Sequence, residues 1–244
     1  MIQIENLSKR YGNVQAVRNL TLHIPRGELF CFLGPNGAGK TTTIKMLTGL
    51  VRPDSGAIRL AGIDMARNPV GVKQLIGYIP DMPYLYERLT PQEFLEFVGD
   101  LYGISRAAVD QAREEGFAQF GLNEYRGALI GDLSHGMRQR LIYVATFLHN
   151  PQVLFIDEPL VGLDPYTIRM IKDLLRAKAR SGVTILLTTH ILAVAEEIAD
   201  RIGIISRGDL IALGRMDELR KTHVIEGRLE DVFLKLTADE YEPS

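Results

Sequence analysis

The chain has 244 residues, of which 46% are apolar and 24% charged, enough for one sizeable folded core. Its 28 basic residues are offset by 30 acidic ones and form no lysine-arginine block of the kind that tracks a phosphate backbone, so direct nucleic-acid binding is not expected. The single cysteine, Cys31, excludes an intramolecular disulfide and suits a reduced, buried thiol. No run approaches the ~20 apolar residues that cross a bilayer, and MIQIENLSKR lacks the apolar centre and cleavage site of a signal peptide. The expectation is a cytoplasmic chain that does not itself span a membrane.

Ile2/Ile4, Val17/Leu20/Leu22/Ile24 and Ile58/Leu60 alternate between glycine-bearing turns at Gly12, Gly27 and Gly56, which predicts antiparallel strands. Between them, ELFCFL is continuously apolar. It reads as a strand buried on both faces that runs into Gly34 and then a helix from about Lys40. From Thr90 to about Asn150 the pattern turns helical. Thr90, Pro91 and Glu93 form a capping box, and Ser105 and Ser134 are caps for two further helices. After Asn150 come VLFID, a helix from Pro165, VTILLTT, a short helix near Ala193 and GIIS, the alternation of a parallel sheet. A hairpin through Arg207-Gly208-Asp209 and short helices around Asp217 and Asp231 complete the reading.

The chemistry begins at Gly34-Pro35-Asn36-Gly37-Ala38-Gly39-Lys40-Thr41, a G-x-x-x-x-G-K-[ST] motif set between a buried strand and a helix. Glycines let backbone amides turn inward around phosphates. The helix N-terminus adds its unsatisfied N–H groups, Lys40 a mobile charge for the outer phosphates, and the Thr41 hydroxyl a Mg²⁺ ligand. The second constellation is Val153-Leu154-Phe155-Ile156-Asp157-Glu158. Its apolar strand carries Asp157 to the sheet end, where a carboxylate can hold Mg²⁺, and puts Glu158 beside it as a general base for an attacking water. In the third, Leu133-Ser134-His135-Gly136-Met137-Arg138-Gln139-Arg140, a serine cap and a glycine open a helix whose exposed amides can bind a terminal phosphate.

These three segments, in this order, resemble the ATP-binding subunits of ABC transporters over nearly the whole chain. The resemblance implies an α/β fold: a P-loop, RecA-like core with an N-terminal antiparallel β subdomain (residues 1–80 and 151–222), an inserted α-helical subdomain (81–150) and a C-terminal helical extension (223–244). ATP and Mg²⁺ are the implied cofactors. Asn36, Gly37, Ala38, Gly39, Lys40, Thr41 and Thr42 would cradle the nucleotide; Thr41, Asp157 and Asp81 would reach Mg²⁺; Glu158, His190, Lys40 and Asp81 would act in catalysis. His190, after VTILLTT, resembles the switch histidine that contacts the γ-phosphate. Asp164 in Gly162-Leu163-Asp164 resembles the D-loop acid and is also a cap for the helix begun by Pro165. Tyr11 resembles the aromatic that stacks on adenine, with plain packing as the other reading.

Two departures stand out. Asp81 follows Ile76-Gly77-Tyr78-Ile79-Pro80 where most relatives have glutamine, and His135 and Met137 stand where glycine and glutamine are commoner. A carboxylate at 81 can still ligate Mg²⁺, directly or through water.

The resemblance further implies a head-to-tail homodimer, or a heterodimer with a related ATPase. In it the glycine loop of one subunit faces Ser134 and Gly136 of the other, and closure on ATP drives a separate transmembrane permease, most like bacterial exporters. The chain would then lie on the inner face of the membrane through its partners. Met82 to Leu89, with Tyr84, Leu85 and Tyr86, is the expected docking surface, with core packing as the alternative for these side chains. The rival reading is a soluble ABC-type ATPase acting on nucleic acid or the ribosome, but the coiled-coil insertion, zinc site or tandem second ATPase domain usual there is missing. A GTPase would need an N-K-x-D guanine reader, which the sequence lacks.

Overall fold

In the computed structural model, residues 1–82, 84–160 and 162–222 and position 233 are described. The expected helix around Asp231 and the extension over 223–244 lie outside the described residues, apart from position 233.

The alternating N-terminal runs form an antiparallel sheet of β1 (Ile2–Tyr11), β2 (Val14–Ile24), β4 (Ser55–Leu60) and β5 (Ile63–Asp64), in the order β2-β1-β4-β5. Ile2 and Ile4 face Ile24 and Leu22 on one side and Leu60 and Ile58 on the other, so the apolar residues of three strands share one face. The second sheet runs β10-β9-β3-β8-β7-β6. It comprises β3 (Leu29–Leu33), β6 (Ile76–Ile79), β7 (Val153–Asp157), β8 (Thr184–Thr189), β9 (Arg201–Ser206) and β10 (Asp209–Gly214). All neighbours in it are parallel except β9 and β10, which form the hairpin expected at Arg207-Gly208.

The continuous apolar runs of β3 and β7 are explained by the layers on either side. Leu29, Cys31 and Leu33, with Leu154 and Ile156, enter one core together with Phe94, Leu95, Phe117, Leu141 and Tyr143 of the helical segment. Phe30, Phe32, Val153 and Phe155 enter the other with Ile44, Leu47 and the apolar face of the antiparallel sheet. Burial also pushes the Cys31 thiol far up, so it stays protonated and inert.

The helices begin where their caps require. α1 (Lys40–Leu47) follows the glycine loop, and α3 (Pro91–Tyr102) opens on the complete Thr90–Glu93 capping box. The Ser105 side chain caps α4 (Arg106–Phe120), Ser134 caps α5 (His135–Phe147), and Asp164 caps α6 (Pro165–Arg180). α7 (Leu192–Ile198) and α8 (Met216–Thr222) are short. One helix was not anticipated: α2 (Pro69–Leu75), whose signal was Asn68 capping ahead of a first-turn proline. No described helix is long and apolar enough to cross a membrane.

Candidate active site

Three neighbouring parallel strands, β3, β8 and β7, end along one edge of the sheet and deliver Gly34, His190 and Glu158 side by side. This is the edge where open α/β sheets bind ligands.

The glycine loop is built by backbone demands. Gly37 and Gly39 have φ of +83° and +109°, and a Cβ on Gly39 would lie 2.3 Å from the Ala16 carbonyl oxygen, so no other residue fits there. The hairpin turn braces the loop from behind: Gly208 N–H donates to the Ala38 carbonyl at 3.0 Å, and Arg18 N–H donates to the Gly208 carbonyl at 2.8 Å. Asn36 and Gly37 are exposed, Ala38, Gly39 and Lys40 are buried, and Thr41 and Thr42 stand at the mouth in the first turn of α1. Thr43, which the sequence reading passed over, is buried and donates back to the Gly39 carbonyl.

Lys40 folds over its own loop. Its ammonium donates to the Gly34 and Pro35 carbonyls at 2.6 and 3.1 Å and lies 3.6 Å from Glu158 Oε1. Burial lowers its pKa, opposed by the charges of Glu158 and Asp157. Across the site, His190 Nδ1 is 3.0 Å from Glu158 Oε2. Neither Glu158 oxygen makes a hydrogen bond of proper geometry despite its burial, so this carboxylate has unspent accepting capacity in the middle of the site.

Glu158 is also strained, with φ of +48° in the left-handed region that non-glycine residues avoid. Its N–H is held by the Thr188 carbonyl and hydroxyl at 3.2 and 3.3 Å. The Thr188 hydroxyl donates to Asp157 Oδ1, which orients a carboxylate only 2% exposed. Thr188 thus positions both acids. The sequence offered one signal for it, a polar pair ending an apolar strand.

Asp81 lies just beyond β6. Desolvation, then the nearby charges of Asp157 and Glu158, raise its pKa, while His190 and His135 pull the other way. The 81 position therefore belongs to the same electrostatic cluster as the two strand-end acids. No group of three or more His, Cys, Asp or Glu side chains able to hold a metal assembles among the described residues.

Other expected residues stand apart from this cluster. Tyr11 is 47% exposed at the end of β1 with the Lys9 ammonium 5.6 Å from its ring centre. Ser134 is exposed, and its hydroxyl accepts from the Met137 N–H; Gly136 follows in the first turn of α5. The Asp164 carboxylate is committed to the Thr167 N–H and hydroxyl, and the Arg140 guanidinium lies 3.7 Å away. Of the aromatic segment, Tyr84 is 92% exposed and Tyr86 51%, whereas Leu85 is buried; position 83 lies outside the described residues.

A family model described as ABC transporter matches residues 17–161. The chain is 39% identical over 241 residues to the daunorubicin/doxorubicin resistance ATP-binding protein DrrA of Streptomyces peucetius, covering 98% of this chain and 73% of that protein. It is 37% identical over 234 residues to the Nod factor export ATP-binding protein I of Ralstonia nicotianae, covering 96% and 72%. A solved structure of an ATP-binding subunit of an ABC transporter superposes with a TM-score of 0.91 at 34% identity, over 97% of this chain and 99% of that one. The chain belongs to the ABC transporter family, among its ATP-binding, ATP-hydrolysing subunits.

Proposed function

We propose that two copies of this chain, or this chain and a related ATPase, close on Mg²⁺-ATP and thereby drive export through a separate transmembrane permease. The observation that carries this reading is the convergence of Lys40, Glu158 and His190 at one sheet edge, around a carboxylate whose acceptors are unspent.

The residues fit the nucleotide. The space beside Gly37 is open, with nothing within 4 Å of a Cβ built there, so phosphate oxygens can approach its backbone closely. Lys40 can exchange its two carbonyl contacts for the outer phosphates. Tyr11, half exposed, offers a ring face for adenine. Thr41, Asp157 and Asp81 would hold Mg²⁺, which fits an ion that keeps water and phosphate oxygens in its shell rather than an all-protein cage. When bound, that ion neutralises charge on the phosphates.

Glu158 orients the attacking water and takes its proton, and His190 donates a hydrogen bond toward the terminal phosphate. The strained Glu158 backbone, clamped by Thr188, fixes the direction of that carboxylate. Ser134 and Gly136 present exposed helix-end amides that a second protomer's nucleotide can use. Hydrolysis by the purified chain tests the chemistry: Glu158→Gln should lower kcat by about 10²–10⁴ while leaving ATP binding intact. Wild-type turnover in that variant would remove Glu158 from the role.

For the permease we assign the exposed Met82, Tyr84 and Tyr86, with Tyr86 packed edge-on against Phe97 of α3, and the groove of about 370 Å³ to which the same helix contributes Phe94, Leu101 and Tyr102. Exposed aromatics flanking an apolar groove are a common signature of a protein-binding surface. Through that partner the chain would sit on the inner face of the membrane.

A further inference from the structure

The docking segment and the signature helix are tied together by one arginine. Arg138, the fourth residue of α5, donates from Nε to the Leu133 carbonyl at 3.0 Å and from Nη2 to the Gly131 carbonyl at 2.6 Å. Its Nη1 reaches the Glu87 carboxylate at 3.3 Å. Two backbone bonds run beside this fork, Gly131 N–H to the Glu87 carbonyl at 3.0 Å and Ile130 N–H to the Leu89 carbonyl at 2.9 Å. The approach is close enough that a Cβ on Gly131 would sit 3.2 Å from the Glu87 carbonyl oxygen. A surface pocket of about 510 Å³ is walled by Tyr84, Tyr86, Glu87 and Arg138, so the tie and the docking aromatics share one surface.

We propose that Arg138 is a positioning residue that couples residues 84–89 to the Ser134-capped end of α5, so that a partner seated on Tyr84 and Tyr86 sets how Ser134 and Gly136 meet the opposing nucleotide. The proposal rests on the function given above. Its physical basis is the guanidinium's planar fork: three acceptors from the turn before α5 and from the docking segment are held by one rigid group, which no ammonium can reproduce. A displacement of Glu87 is therefore felt at Gly131 and Leu133, and Leu133 adjoins Ser134.

The test titrates Mg²⁺-ATP against association of the hydrolysis-blocked Glu158→Gln chain by sedimentation. Arg138→Gln is expected to raise the ATP concentration for half-association by about 10-fold, and Arg138→Lys by less, because a charged hydrogen-bond set is lost or halved. Glu87→Gln, a surface change that keeps the fold, is expected to shift it by about 2-fold and to add nothing once Arg138 is replaced. ADP affinity of the single protomer stays constant in all three. Unchanged association in both Arg138→Gln and Glu87→Gln, or a loss of ADP affinity in step with association, overturns the proposal. Should the Glu158→Gln chain itself never associate with ATP, the closure reading fails separately. The tie is then judged by hydrogen exchange: faster exchange at the Gly131 and Met137 amides in Arg138→Gln supports it, and unchanged exchange overturns it.

Discussion

The sheet edge that carries the chemistry and the surface around residues 82–89 are neighbours with opposite construction. At the edge, Lys40 and Asp157 are buried and Glu158 nearly so, and each is pinned by backbone or by Thr188. Around 82–89, Met82 and Tyr84 are almost wholly exposed, while the Gly131 and Ile130 amides hold the Glu87 and Leu89 carbonyls and Arg138 holds the Glu87 carboxylate. The difference teaches a division of labour. Geometry that must not vary is built from buried, mutually bonded groups on strand ends, while a surface that must be grasped by another chain keeps Met82 and Tyr84 exposed and is secured through its main chain and the Glu87 carboxylate.

That division can be broken or sharpened by experiment. The largest effect is expected at the edge: Lys40→Ala should lower ATP hydrolysis by about 10²–10³, since a preorganised cation facing developing charge is lost. Tyr84→Ala should leave hydrolysis by the isolated chain within about twofold, as an exposed side chain with no structural task. Comparable losses in the two variants would erase the distinction. Next, Gly39→Ala places a methyl against the Ala16 carbonyl at a φ of +109° and should cost on the order of 3 kcal/mol in denaturant unfolding. Thr90→Ala removes one half of the capping box of α3 and should cost about 1 kcal/mol in the same measurement.

The finest test concerns Asp81. Its proton is held more tightly in the folded chain than in the unfolded one, because of desolvation and the charges of Asp157 and Glu158. Stability is therefore lost as pH rises through its raised pKa. Without nucleotide, Asp81→Asn should melt above wild type at neutral pH, with the gap closing as pH falls through the carboxylate range. A gap independent of pH would show that the charge at 81 is not strained by its neighbours.

Much of the site was legible because its residues sit where periodicity changes. Gly34 to Lys40 follows an uninterrupted apolar strand, and Asp157-Glu158 ends another, so strand, loop and helix could be assigned from pattern and the chemistry from residue type. Ser134, Thr90 and Asp164 announced helix starts by the same capping logic that the structure displays. The bonding of Thr188, and the fork of Arg138 on Glu87 and Gly131, were not legible. Their partners are 31 and 51 residues away for Asp157 and Glu87, and nothing local to threonine or arginine encodes which distant carboxylate it will meet. The left-handed backbone of Glu158 was equally hidden, since glutamate has no preference for it and the Thr188 groups that bond its N–H lie 30 residues away.

The claim on which the account depends is that one protomer's glycine loop and another's α5 terminus share a nucleotide. Cysteines placed at Ser134 and at Asn36 in the Glu158→Gln chain test it directly, with the buried Cys31 left in place. Because phosphate lies between the two positions, the account predicts ATP-dependent intermolecular linkage of 134 and 36 by a bifunctional thiol reagent that spans more than the ~7 Å limit of a direct disulfide, and no such linkage with ADP. Cross-linking that is equally frequent without nucleotide, or absent at saturating Mg²⁺-ATP while both copies bind it, would contradict the account.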